Sequence, residues 1–469
     1  MAPKQGEVSS ALAAKVLEEV CERRGIPGAV LGVMADGQVV ARATYGSASL
    51  RTGVAVTDDT LFQAGSIGKA YTATVIMSLV DEGKLDLDAP VRSYLDELVL
   101  SDRRATETVT TRQLLCHMSD IDGDSIDTEG KYGRGDDCLQ RYVADLESLP
   151  MIASPGTLWS YCNSGYILLG RLIEVLAGTT YEQALAKRLF EPMGLERTFF
   201  FPEDVMVHAF AVGHLPQEPG KAPMVSPRWA FSRAAHPAGG NITTSTDELL
   251  AFGRLHLEGG MAANGTRILS EESTLAMQEP VAVCPEPELL GDHWGLGWFL
   301  HTRRGPVVVG HDGNTIGQTA GLRLVPEHNV ALAMLTNLSG QNRAFSEVTR
   351  ELLDPWLGTH TPAKAVATGQ APAHDRLVGT YEKFGARIVV QARDGVLHAG
   401  LQSTDTTDDE QGGRLRPLQA TDEADTLLMH LEEIGEDMAI TFMLPDGAGH
   451  PQFAHMGARA YPRVSGSGS

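Results

Sequence analysis

The strongest constraint in this chain is a lysine inside a helix that is otherwise apolar enough to be buried. Residues 62–77 read Phe-Gln-Ala-Gly-Ser-Ile-Gly-Lys-Ala-Tyr-Thr-Ala-Thr-Val-Ile-Met. The small pair Ala64-Gly65 leads into Ser66, where a helix is expected to start, and Ala70, Ala73, Val75, Ile76 and Leu79 give it a buried face ending near Gly83. A spacing of three puts Ser66 and Lys69 on one side of that helix. Burial and the positive end of the helix dipole both disfavour an ammonium, so Lys69 is expected to give up its proton more readily than a surface lysine. It then becomes a candidate proton acceptor for the Ser66 hydroxyl. Ser-x-x-Lys also arises by chance, so the chemistry has to be supported elsewhere in the chain.

Two later stretches supply that support. In Ser154-Pro155-Gly156-Thr157-Leu158-Trp159-Ser160-Tyr161-Cys162-Asn163, just before an apolar helix at 167–173, Tyr161 and Asn163 lie two apart in an extended turn and point the same way. A phenol ordinarily titrates near pH ~10, so Tyr161 serves as a base only where a cation loosens its proton, and Lys69 is the candidate cation. The third stretch is Val307-Val308-Val309-Gly310-His311-Asp312-Gly313-Asn314-Thr315, followed by apolar runs at 319–325 and 330–336. Three strands at hairpin spacing predict an antiparallel sheet, with His311 and Gly313 on one face and Asp312 on the other. Gly313 is expected to leave room for a substrate along the strand. Gly239-Gly240 reads as a glycine loop lining the same site, followed by a capped helix within 241–250. Each of these has an ordinary reading when taken singly: Tyr161 packing on its own turn, His311 as a structural histidine. His117, after Leu114-Leu115-Cys116 at a helix end, is read as a structural hydrogen-bonder.

The rest of the chain frames these motifs. A helix is expected from Ser9 to about Arg24, stopped by Gly25, and then a hairpin in which 29–34 and 39–43 flank Asp36-Gly37. Residues 85–204 read as helix and loop. Helical residues 346–357 close the first region, and the small-residue, proline-containing stretch 359–373 reads as a linker. Short alternating runs at 387–391, 396–398, 426–429 and 439–442, punctuated by Asp394-Gly395 and Asp446-Gly447, predict a small all-β meander or barrel. The expected domains are therefore 1–358, a linker at 359–373, a β domain at 374–464 and a flexible tail at 465–469.

The five cysteines lack any Cys-x-x-Cys pair, which argues against a disulfide framework and a zinc site. A net charge of −22 repels phosphate backbones, so nucleic acid is not an expected partner. No apolar run reaches membrane-span length and the N-terminus shows no signal core, so a soluble, cytoplasmic protein is expected. P-loop, dinucleotide and His-Glu-x-x-His signatures are absent from the sequence, and no cofactor or metal is expected.

In order, Ser66-Ile67-Gly68-Lys69, Tyr161-Cys162-Asn163 and His311-Asp312-Gly313 resemble the three motifs of the serine β-lactamase and penicillin-binding-protein superfamily, on its class C side, over residues 10–358. The resemblance implies an α+β fold: a five-stranded antiparallel sheet made from both ends of the domain, flanked by helices, with a mainly helical subdomain inserted. It implies Ser66 as the acyl-forming nucleophile, Lys69 and Tyr161 as the proton-transfer pair, and Asn163 orienting the substrate amide and Lys69. The backbone N–H groups of Ser66 and Asn314 would form the oxyanion hole. His311 stands where β-lactamases usually carry a lysine, which resembles the D-aminopeptidases, esterases and penicillin-binding-protein-type thioesterases of the superfamily. A lipocalin-like barrel after such a domain resembles the last of these, the cyclases of nonribosomal peptides, in which a barrel arginine faces the substrate; Arg459 is the candidate here.

The function expected from the resemblance is release of a peptidyl group from a thioester, either free or on a carrier protein docked at a basic patch such as Arg303-Arg304. Attack of an amine on acyl-Ser66 would then close a ring. Deacylation by water, as in a D-aminopeptidase or esterase, and a catalytically silent binding or scaffold protein are the alternatives. An α/β-hydrolase elbow at Ala64–Gly68 is disfavoured, because the preceding 57–61 is too polar for a buried parallel strand.

Overall fold

The computed structural model describes residues 8–123, 130–218, 220–404, 413–423, 425–432 and 436–464; the expected tail at 465–469 lies outside them. Helix α1 (Ser10–Arg24) starts where the Ser9 hydroxyl accepts from Leu12 N at 3.2 Å, and ends at Gly25 in the left-handed region. Strands β1 (Gly28–Ala35) and β2 (Gln38–Gly46) follow, and their turn has positive φ at both Asp36 and Gly37, as a two-residue hairpin requires. Helix α2 (Gly68–Asp81) is buried along nearly its whole length.

Helix α3 (Asn163–Ala177) starts four residues earlier than its apolar run suggests, because the Cys162 thiol caps it, accepting from Gly165 N at 3.2 Å. The capped helix expected after the glycine loop is α4 (Thr246–Leu257), and its cap is Ser245. Strands β3 (Val308–Asn314), β4 (Thr319–Val325) and β5 (Val330–Thr336), then helix α5 (Asn342–Leu357), complete the first domain.

The sheet joins both ends of this domain, with β1 pairing antiparallel to β5 from Ala29↔Thr336 to Ala35↔Val330. Its order is β2-β1-β5-β4-β3, and three short strands, Phe299–His301, His293–Trp294 and Ala282–Val283, continue it past β3. The sheet thus has eight strands where five are expected. The extra three are two or three residues long, too short for any alternation to show in sequence. Helices α1 and α5 pack one face, around Val16, Leu17, Val20, Phe345, Val348 and Leu352, while α2 and α4 lie in the larger core on the other face.

The C-terminal domain is a closed antiparallel barrel of eight strands: β6 (Gly379–Lys383), β7 (Ala386–Arg393), β8 (Val396–Ser403), β9 (Arg416–Ala420), β10 (Thr426–Leu431), β11 (Glu436–Pro445), β12 (Pro451–Met456) and β13 (Arg459–Val464). Pairing of β9 with β10 and of β6 with β13 closes the ring around Tyr381, Ile388, Leu418, Met429 and Ile440. The second half of the stretch read as linker is part of this barrel: Gly369–Gln370 pairs with β9, and Ala371 N donates to Leu418 O at 2.9 Å.

Barrel and first domain share an apolar contact of Ile152 and Leu158 with Phe453 and Ala460. An ion pair between Arg343 and Glu436 and a bond from Phe384 N to the Asp122 carboxylate add to it. Among the described residues no helix is long and apolar enough to cross a membrane, and no group of three His, Cys, Asp or Glu is placed to hold a metal ion.

Candidate active site

Ser66 lies in a 3-10 turn, Gly65–Ile67, that runs directly into α2. From Thr60 to Leu79 every other residue is buried; Ser66 alone is partly open. One turn on, Lys69 is 0% exposed, and its Nζ lies 3.2 Å from Ser66 Oγ and 2.7 Å from the carbonyl of Ala238. That carbonyl belongs to a turn, Arg233–Ala238, fixed to the helical subdomain: Glu182 binds both Arg233 (3.0 and 2.9 Å) and His236 Nδ1 (2.7 Å), and Asn241 Nδ2 lies 2.9 Å from His236 Nε2. The Glu182 carboxyl is buried, yet the histidine and arginine bonded to it hold its pKa down to about 2.

Tyr161 comes to the same place from the segment that leads into α3. Lys69 Nζ lies 4.9 Å from the Tyr161 ring centroid and 5.6 Å from that of Tyr166, whose hydroxyl donates to Leu115 O at 2.8 Å. A second cation, the Arg459 guanidinium of the barrel, lies 4.6 Å from the Tyr161 ring. Two positive charges beside one phenol ring attract its π face and favour negative charge on its oxygen. Asn163, at the first position of α3, is buried two residues beyond.

His117 takes the structural place expected of it. It is fully buried with positive φ, accepts from Cys162 N through Nδ1 at 3.0 Å, and packs its ring, tilted by 30°, 4.2 Å from that of Tyr161, so it holds the Tyr161 segment in position. Burial and then the Lys69 charge push its pKa well down, which keeps Nδ1 available as that acceptor.

β3 forms the opposite wall. The ring of His311 lies 6.5 Å from that of Tyr161 and 5.4 Å from Trp294. Its Nδ1 lies 2.7 Å from the Asp312 carbonyl, so Nδ1 carries the proton and Nε2 the lone pair. Burial, reinforced by the Lys69 charge, lowers its pKa to about 3, and His311 is therefore neutral at pH 7. Asp312 points the other way, into a buried pair with Arg323 whose guanidinium lies 4.6 Å from the Phe299 ring and 4.5 Å from Phe345.

The glycines expected to line the site also let backbones meet there. A Cβ on Gly313 would sit 1.9 Å from Ala64 O and 2.9 Å from Ser66 N, so Gly313 lets β3 press against the Ser66 turn. Gly65, with φ +54, meets it from the other side: a Cβ there would lie 2.8 Å from Asn314 N. The backbone amides of Ser66 and Asn314 therefore belong to two apposed segments. Gly239 likewise abuts Gly65 O and Ser66 Cα, and Gly240 abuts Ala235, so this pair packs the nucleophile turn against its neighbour. The sequence reading missed Ala238 O, which sends no signal because any residue offers a carbonyl. It also missed Trp294, a lone aromatic on a two-residue strand.

The Beta-lactamase family model matches residues 13–355. Penicillin-binding protein 4 of Amycolatopsis lactamdurans is 40% identical over 365 residues, 77% of this chain and 94% of that protein. The unguisins hydrolase ungD' of Aspergillus campestris is 27% identical over 353 residues, 73% of this chain and 64% of that protein. The crystal structure of SurE superposes with a TM-score of 0.76 at 27% identity, covering 97% of this chain and 99% of SurE, and that of SurE with D-Leu superposes at 0.73. The chain belongs to the β-lactamase family, within the β-lactamase and penicillin-binding-protein superfamily, as a class C-like domain followed by a closed eight-stranded barrel.

Proposed function

We propose that this protein is a cytoplasmic serine acyltransferase that releases a peptidyl group from a thioester and passes it to an amine, closing a peptide ring. The observation that carries this reading is the Lys69 amine, buried 3.2 Å from Ser66 Oγ, beside the ring of Tyr161. In the first half-reaction the Lys69–Tyr161 pair takes the Ser66 proton as Oγ attacks the thioester carbonyl. The amides of Ser66 and Asn314 receive the oxyanion, each worth about 10²–10³ in rate. Collapse breaks the C–S bond, and the thiolate leaves with the proton the pair has held. An amine then attacks the Ser66 ester, gives up its proton to the same pair, and Ser66 Oγ departs and takes that proton back.

A neutral His311 favours this class of substrate. A lysine at this position would hold a carboxylate, whereas His311 offers a lone pair, suited to an N–H donor such as a peptide amide or an incoming amine. The likeness to SurE extends over both domains, including the barrel that brings Arg459 to Tyr161. The relative named as a hydrolase favours a second reading, in which water deacylates Ser66. Incubation with a peptidyl thioester, in versions ending in a D- or an L-residue, followed by separation of products decides between them. Cyclic product supports the acyltransferase, and exclusively linear acid removes it.

A further inference from the structure

Glu286 lies in the first domain, outside all three motifs, and its carboxylate is 6% exposed. Among the described residues, its bonds to the barrel come from the β12–β13 hairpin, two from the turn and one from the end of β12. His455 Nδ1 approaches its Oε1 at 2.6 Å, Ala458 N donates to the same oxygen at 3.2 Å, and Gly457 N donates to Oε2 at 3.1 Å. The turn joins β12 to β13 in the register Met456↔Arg459, with φ +61 at Gly457 and +66 at Ala458. Successive left-handed residues aim successive N–H groups into one concavity, an anion-binding arrangement that the carboxylate fills. A non-glycine residue in this conformation is disfavoured, so something must hold Ala458 there.

The other side of the turn touches the machinery around Tyr161. Ala458 O accepts from Tyr161 N at 2.9 Å, and Ala460 N donates to Ser160 Oγ at 3.1 Å. Arg459, between them, lies over the Tyr161 ring, and the His455 ring lies 5.6 Å from that of Trp159, two residues before Tyr161. One carboxylate thus anchors the only barrel turn, among the described residues, that bonds to the Tyr161 backbone.

We propose that Glu286 is a positioning residue for catalysis, a latch that fixes the Gly457–Arg459 turn and through it sets the Tyr161 amide and the guanidinium over its ring. The barrel is then part of the acyl-transfer machinery rather than a separate appendage. The inference rests on the Ser66 acyl-enzyme reading, and the test separates the two. Wild type, Glu286→Gln and Glu286→Ala are compared for the second-order rate of Ser66 labelling by a fluorophosphonate, the labelled fraction at saturation, and kcat and KM on a peptidyl thioester, all below each variant's Tm. Displacement of catalytic groups by about 1 Å costs on the order of 10² in rate. Glu286→Ala is accordingly expected to lose at least about tenfold in labelling rate and in kcat, with KM nearly unchanged.

Glu286→Gln keeps an acceptor oxygen for one amide, so it is expected to fall between the two and to carry the test if the alanine variant does not fold. A purely structural Glu286 would lower Tm and the labelled fraction while leaving the rate per folded molecule at the wild-type value; that result overturns the proposal. Failure of wild type to label at Ser66 would instead overturn the acyl-enzyme reading beneath it.

Discussion

Gly313→Ala probes how tightly the third strand is pressed against the nucleophile. The added Cβ would lie 1.9 Å from Ala64 O, 2.9 Å from the Ala64 carbonyl carbon and 2.9 Å from Ser66 N, all backbone atoms that no rotamer change can move aside. Relieving the shortest contact requires β3 and the Ser66 turn to part by roughly 1 Å, and a shift of that size between reacting groups costs on the order of 10² in rate. The same movement separates the amides of Ser66 and Asn314, either of which is worth about 10²–10³. We therefore expect Gly313→Ala to lower the second-order rate of Ser66 phosphonylation by at least about 10², with far-UV circular dichroism retained and a reduced Tm. Gly447→Ala is the control, since a Cβ there meets nothing within 4 Å. Labelling of Gly313→Ala within a few-fold of wild type would refute the reasoning, because it would mean that the apposition of the two segments does not set the reactivity of Ser66.

His311→Lys introduces a cation beside Lys69; peptidyl thioester turnover is expected to fall, and inhibition by peptides with a free C-terminal carboxylate to appear, measured as a Ki against wild type. Asp312→Asn leaves the Arg323 charge buried without its counter-ion, and urea unfolding is expected to show a loss of roughly 3–5 kcal/mol. His256, His301 and His311 are each held by burial to about 3, against an ordinary 6.5, so in the native state they stay neutral while the unfolded chain takes up protons as pH falls below 6.5. Each lowers stability by about 1.4 kcal/mol per pH unit between 6.5 and 3. Asp120, raised by burial to about 7, opposes them with one proton, and a falling urea midpoint from pH 6.5 to 4.5 checks the net sign.

Local rules made much of this molecule legible. Gly25 and Ser9 bound the first helix, Asp36-Gly37 forces a hairpin, and the short apolar runs at hairpin spacing in 308–336 announce three paired strands. The three motifs converge because the residues that make chemistry there are side chains, which sequence displays. What stayed hidden depends on tertiary approach. Gly313 and Gly239 read as openings for a ligand, and the structure shows them also to be places where two backbones touch, which only the partner segment reveals. The carbonyl of Ala238 and the Glu286 carboxylate act through chain segments 169 and 172 residues from their partners Lys69 and Ala458. Cys162 caps α3 with sulfur, a weak acceptor that falls outside the usual capping residues, which is why the helix start was displaced. His311 shows the same limit for charge: its type suggests a group titrating near neutrality, and only its burial beside Lys69 makes it a fixed lone pair.

The central claim is that Ser66 carries the peptidyl group between donor and acceptor. Wild type and Ser66→Ala are mixed with a peptidyl thioester, quenched in acid within milliseconds to seconds, and analysed by intact-mass and peptide mass spectrometry. The account predicts an adduct of the peptidyl mass on the peptide containing Ser66 in wild type, decaying as product forms, with neither adduct nor turnover in Ser66→Ala. Turnover that persists in Ser66→Ala, or an adduct on another residue, would contradict it.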